Sequence, residues 1–190
     1  MYYVGSKPVA AWAVTTSEGI ILIDTLYEYS VEDEIVNGLK KLGLDPTKIK
    51  YVVVTHGHAD HYAGAPYLQS RLGARILMSA ADWEFMQSQR NPNRPTRDMV
   101  VTDGQRLTLG DATLTLYLTP GHTPGTISLL VPVKDGGREH LAAMWAERRL
   151  ISPERRKTSE PTAIPRSASP TSWEKPLWTL SSQTIRIIAE

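Results

Sequence analysis

The chain has 190 residues, 41% of them hydrophobic, which is enough for one domain with a buried core. A formal net charge of +1 gives no basis for binding nucleic acid or an anionic membrane, and no apolar run approaches the ~20 residues of a membrane-spanning helix. Cysteine is absent, which excludes disulfides and thiolate metal ligands.

The start, "MYYVGSKPVAAW", lacks a basic segment followed by a long apolar one, so the chain as it begins shows no signal peptide and reads as cytoplasmic. A leader lost ahead of it would instead make the protein periplasmic or secreted. "VAAWAVTT" (9–16) and "IILID" (20–24) are β-branched runs separated by a short turn, the pattern of a hairpin. Over 30–42, Ser30 stands at a capping position, acids fill the first turn and lysines the last. Val31, Ile35, Leu39 and Leu42 share one face, and Gly43 ends the predicted helix. "IKYVVVT" (49–55) reads as a buried strand, 60–72 as a helix, "ARILMS" (74–79) as a strand, and Ser79 as the cap of a helix reaching about Gln89. The stretch 91–98 is a loop, and strands are expected at 99–102, 105–109, 112–118, 126–133 and 139–145. Helices alternating with strands, followed by a run of strands, predict a layered α/β domain over residues 1–145.

The chemistry concentrates in "YVVVTHGHADHYAG" (51–64). If the strand end stays extended, His56 and His58 point the same way, and the small Gly57 and Ala59 allow a tight turn that re-aims Asp60 and His61 beside them. Downstream, "LTPGHTPGT" (118–126) sets His122 between two Pro-Gly turns, where a rigid loop can deliver one more imidazole. Imidazole nitrogen and carboxylate oxygen are the ligands that zinc prefers. A single buried histidine is as easily a hydrogen-bonded core residue, but His-x-His-x-Asp-His arises by chance on the order of once in ten thousand such chains. Asp24, closing "ILID", is open to two readings: a carboxylate orienting a histidine, or an ordinary strand-end acid. His140 receives no role.

The residues "THGHADH" (55–61) and "TPGHTPG" (119–125), supported by "ILIDT" (21–25), resemble the metallo-β-lactamase superfamily, with the likeness running from about Tyr2 to Trp145. The resemblance implies an α/β (α+β) fold, an αββα sandwich, with a metal centre at one edge of two packed sheets. It implies that His56, His58 and His122 hold one zinc ion and that Asp60 and His61 form part of a second site, Asp60 also orienting the nucleophile. Zinc lowers the pKa of water from 15.7 to roughly 7, and the hydroxide so formed attacks a carbonyl or thioester of a small-molecule substrate. A β-lactam leads, with lactones and thioesters as close competitors. Oligomeric state is not legible.

The pattern then stops. The family's second site needs a late histidine, yet His140 is the last one, and the stretch after it offers Glu147 and no aspartate. A crippled or non-catalytic metal binder is therefore the alternative reading. Residues 146–190 also change character: all 13 glycines lie at or before Gly137, and eight Lys/Arg stand against five Glu in the tail, where residues 1–145 hold thirteen against fifteen acids. Five prolines break every helical window, so 146–172 is expected to be irregular or disordered, with only "LWTL" and "TIRIIA" as short strands. Trp145 and Ala146 force three consecutive G nucleotides. Restoring one further G there allows a reading that opens "WGGT" and ends near "SNHP", which resembles the third metallo-β-lactamase subclass. The tail is thus expected to be a frameshift product, the domain incomplete, and the chain marginally stable through the loss of a covering helix and strand.

Overall fold

The computed structural model describes residues 1–145, 178–180 and 183–188. The first sheet has the order β1 (Tyr2–Tyr3), β2 (Trp12–Thr16), β3 (Gly19–Ile23), β4 (Ile49–Val53), β5 (Arg75–Ser79) and β6 (Met99–Val101). The β2–β3 hairpin is antiparallel, while β3, β4, β5 and β6 run parallel, so the chain leaves β3, β4 and β5 at one common edge. The second sheet is antiparallel throughout, with β7 (Gln105–Leu109), β8 (Ala112–Leu118), β9 (Ile127–Asp135), β10 (Arg138–Trp145), β12 (Gln183–Ile188) and β11 (Trp178–Leu180) in that spatial order.

Side-chain alternation along the strands divides the core in two. Ile21, Ile23, Val53 and Leu77 face the second sheet and pack with Leu114, Leu116, Leu129 and Met144. Ile20, Leu22, Val52 and Ile76 point to the opposite face and meet the helices. Four helices pack on that face: α1 (31–41) through Ile35 and Leu39, α2 (Ala59–Tyr62) through Tyr62, α3 (Ala65–Leu72) through Leu68, and α4 (Ala80–Ser88) through Trp83 and Met86. Helix, sheet and sheet thus form three of the expected layers among the described residues. The mixed α/β architecture agrees with the sequence reading.

The strands and the α4 cap fall where the sequence predicts them. Ser79 accepts a hydrogen bond from the Asp82 N–H, as a capping serine should. Ser30 does not behave this way: its hydroxyl donates to the Tyr27 carbonyl, and the segment it opens begins as π-helical turns (Val31–Val36) before becoming regular at Asn37–Lys41, the whole being α1. The single helix expected over 60–72 is two, α2 and α3, interrupted at Ala63–Gly64. At the break the backbone bonds outside the helix, and only glycine fits there. Gly64 N–H donates to the Leu26 carbonyl, and a Cβ on Gly64 would sit 2.2 Å from the Thr25 carbonyl oxygen and 2.9 Å from Val31 Cβ. Gly64→Ala is therefore expected to destabilise the protein by about 2–3 kcal/mol, read as a lower guanidine midpoint at unchanged slope.

The tail strands agree with the expectation for "LWTL" and "TIRIIA": β12 pairs antiparallel with β10, Ala143 opposite Arg186, and β11 pairs with β12. The expected irregular stretch 146–172 lies outside the described residues.

Candidate metal centre

The site grows from the common edge where β3 and β4 end. β4 stops at Val53, Val54 N–H still donates to the Leu77 carbonyl of β5, and the chain then bends over 56–58, so the extended strand end expected at His56 and His58 does not form. The bend brings the two rings together nearly perpendicular, at 86° with centroids 5.1 Å apart. α2 starts directly after His58 and carries Asp60 and His61 on its single turn. The second approach is the loop joining β8 to β9. It is closed by a 2.8 Å hydrogen bond from Thr119 N–H to the Thr126 carbonyl and tied to the first segment by one from Ile127 N–H to the Thr55 carbonyl, also 2.8 Å.

These loops converge. His58 Nδ1 lies 3.1 Å from His122 Nε2, and the His56 and His122 rings are 4.5 Å apart. One ring nitrogen from each of His56, His58 and His122 falls within 4.8 Å of the others, and so does one ligand atom from each of His56, Asp60 and His61. Two nitrogens bound tetrahedrally to zinc at 2.0–2.1 Å sit roughly 3.3 Å apart, so the 3.1 Å spacing suits a shared ion. All five residues singled out in the sequence come together; His140 lies away from them on β10, opposite Val133.

The electrostatics differ across the cluster. Burial, then the neighbouring His61, His122 and His58, push the His56 pKa far down, so its imidazole stays neutral with a lone pair to offer. Burial also works against a charged His61, but Asp24, 2.7 Å from its Nδ1, and Asp60 beyond Nε2 outweigh this and push it up to about 9. Asp60 is opposed by burial too, yet the hydrogen bond and charge of His61 hold its carboxyl below the usual range.

Asp24, open to two readings in the sequence, is fully buried. It accepts hydrogen bonds from the Thr55 N–H (2.7 Å) and hydroxyl, and it faces His61 Nδ1. This arrangement fixes the proton on Nδ1 and turns Nε2 toward the cluster. Its φ of 62°, a left-handed backbone that only glycine adopts freely, is strain held at the site. Asp82, which drew no attention in the sequence, is also fully buried here, between the two ligand-bearing segments. Its one sequence signal, an acid three residues after a capping Ser79, looked purely local.

Comparison with known proteins gives a consistent result. The family model of the metallo-beta-lactamase superfamily matches residues 4–136. A hydroxyacylglutathione hydrolase of Acidiphilium cryptum is 37% identical over 83 residues, covering 44% of this chain and 31% of that protein. An N-acyl homoserine lactonase of a Bacillus species is 28% identical over 156 residues, covering 68% of this chain and 60% of that protein. Among solved structures, the subclass B3 metallo-beta-lactamase of Bradyrhizobium japonicum superimposes with a TM-score of 0.67 at 33% identity, over 74% of this chain and 56% of that one. The native FEZ-1 metallo-beta-lactamase of Legionella gormanii does so with a TM-score of 0.67 at 30% identity, over 75% and 58%. The chain thus spans less than two thirds of the length of each of these relatives. With the profile matching well over half of its residues and the convergent histidines in place, the chain belongs to the metallo-beta-lactamase superfamily.

Proposed function

We propose that this chain derives from a zinc-dependent hydrolase acting on a β-lactam, with lactones and thioesters as the competing substrates. The observation carrying this reading is the convergence of His56, His58 and His122 from two segments far apart in sequence. The donor set fits zinc: neutral nitrogen at His56, paired ring nitrogens at 3.1 Å, and a carboxylate alongside. When bound, zinc polarises an attacked carbonyl and makes water acidic enough to react near neutral pH.

The residues have separable tasks. His56, His58 and His122 hold the first ion. Asp60 and His61, with His56 at their side, hold a second one or stand ready for it. Asp24 keeps a proton on His61 Nδ1, so Nε2 is the nitrogen that would face a cation. Asp60 is the group placed to orient a nucleophile and accept its proton. Likeness to the subclass B3 lactamases puts the β-lactam first among the substrates, and the lactonase and glutathione hydrolase relatives name the competitors.

A second reading has its own support. The group around Asp60 and His61 borrows His56 from the first, so a chain holding one ion and turning over slowly is the alternative. The same incompleteness underlies the proposal that residues 146–190 are a frameshift product. The deciding experiment combines metal analysis with hydrolysis of a chromogenic cephalosporin, a homoserine lactone and an S-acyl glutathione. Turnover of the cephalosporin, abolished by EDTA and restored by zinc, is the expected outcome. Preference for either other substrate would move the assignment, and one zinc per chain without turnover would establish the second reading.

A further inference from the structure

The carboxylate of Asp82 is bound to neither core nor solvent. It stands at the third position of α4, where an acid following a capping serine usually folds back on its own helix end. Instead it reaches across to both segments that carry the histidines. Oδ2 accepts from the Gly57 N–H at 2.9 Å and from the Thr123 hydroxyl at 2.6 Å, and Oδ1 accepts from the Gly125 N–H at 2.9 Å. Gly57 is the residue between His56 and His58, and Thr123 directly follows His122. One buried side chain therefore fixes the backbone on both sides of the gap that a metal would fill. We propose that Asp82 is a positioning residue for the metal centre, setting the separation of the two histidine-bearing segments; this rests on the metal-centre reading above.

The chemistry explains why a carboxylate stands there. Three donors converge on it, two of them backbone N–H groups that can only donate, and an ionised carboxylate, acceptor-only with two oxygens, satisfies all three. Charge-assisted bonds of this kind are about twice as strong as neutral ones, and here they are buried. The Thr123 hydroxyl is further locked by Thr126, 2.8 Å away. The approach of the loop to α4 is close: a Cβ on Gly125 would sit 1.9 Å from Ser79 Oγ and 2.7 Å from Asp82 N. The loop bearing His122 is thus pressed against the helix end, and its position follows that of Asp82. None of these contacts involves a histidine ring, so Asp82 acts through the backbone.

Asp82→Asn keeps shape and volume but offers one acceptor oxygen where two are used. Either the Gly125 N–H or the Gly57 and Thr123 donors then face an amide NH₂. The measurement is cobalt(II) titration of the full chain, following the visible absorption of the bound ion, beside thermal unfolding of the metal-free protein. Asp82→Asn is expected to weaken cobalt binding by about 10- to 100-fold and to alter the band positions and intensities, because the ligand angles change. Thr123→Val, which removes the hydroxyl's bonds to Asp82 and Thr126 and leaves the two backbone N–H bonds to Asp82, should weaken binding about fivefold with a smaller spectral change. Asp98→Asn is the control for structure alone: Asp98 accepts from Arg75 and from the Ile76 N–H at the far end of β5, so its loss should lower the melting temperature and leave the cobalt spectrum unmoved. Wild-type affinity and spectrum in Asp82→Asn, or in Thr123→Val should Asp82→Asn fail to fold, would overturn the proposal. Failure of the wild-type chain to bind cobalt would remove the metal centre itself, and this inference with it.

Discussion

Replacing His122 with alanine is expected to empty the three-histidine site and reduce hydrolysis by roughly a thousandfold or more, while the fold is retained. His122 is the one member of the cluster supplied by the β8–β9 loop; the others all lie between Thr55 and Tyr62. Removing it leaves His56 and His58 alone at that position, and two nitrogens do not hold zinc in a tetrahedral structural or catalytic site. The expected loss follows from the source of reactivity: without the ion, water near pH 7 returns toward its ordinary acidity. The side chain is only half-buried and its loop is anchored by Thr119, Thr123 and Thr126, so stability should change by less than 1 kcal/mol. His140→Ala is the matched control, with zinc content and turnover unchanged. Zinc retained at wild-type affinity in His122→Ala would show that the imidazoles at 56, 58 and 122 do not share an ion.

Much of this site could be read before any coordinate was known, for a physical reason. A metal centre needs several ligands of one chemical type at short spacing, and His-x-His-x-Asp-His is too improbable to be a chance run of solvated side chains. The strands were legible because sheets buried on both faces demand continuous β-branched runs such as "YVVV" and "IILI". What was not legible depends on the approach of distant segments. Ser30 and Ser79 present the same capping signal, but only Ser79 caps: its backbone is extended, whereas Ser30 is already helical and its hydroxyl turns back to donate to the Tyr27 carbonyl. At the division of 60–72 the Gly64 N–H goes to the Leu26 carbonyl, 38 positions away in sequence. Asp24 and Asp82 were equally hidden: each is a single acid whose partners lie tens of residues off, Thr55 and His61 for one, Gly57, Thr123 and Gly125 for the other.

The largest expected effect on stability comes from the second sheet. Register pairs Leu130 with Ala143 and Pro132 with Leu141, which puts these residues on the face turned away from the first sheet, with Tyr117 and Trp145. Leu141 and Trp145 are 36% and 38% exposed, and α1, α2, α3 and α4 pack on the other side of the molecule. β12 adds a strand beside β10, but a strand closes an edge and leaves the face as it was. A protein whose reading frame is restored after Trp145, supplying a helix to cover this face, should therefore be more stable. Covering about 200–300 Å² of apolar surface at ~25 cal/mol per Å² contributes at most about 5–7 kcal/mol. At a guanidine slope of roughly 3–5 kcal/mol per M, the midpoint should rise by about 1–2 M. The same repair places a histidine near its new end, so zinc should rise from one ion per chain to two, with Asp60 and His61 completing the second site. Two independent results would refute the frameshift: a gene whose codons after Trp145 cannot encode the second reading, or equal midpoints for the two proteins. A restored protein that gains stability without a second zinc would separate the two halves of the prediction, keeping the missing cover and discarding the late ligand.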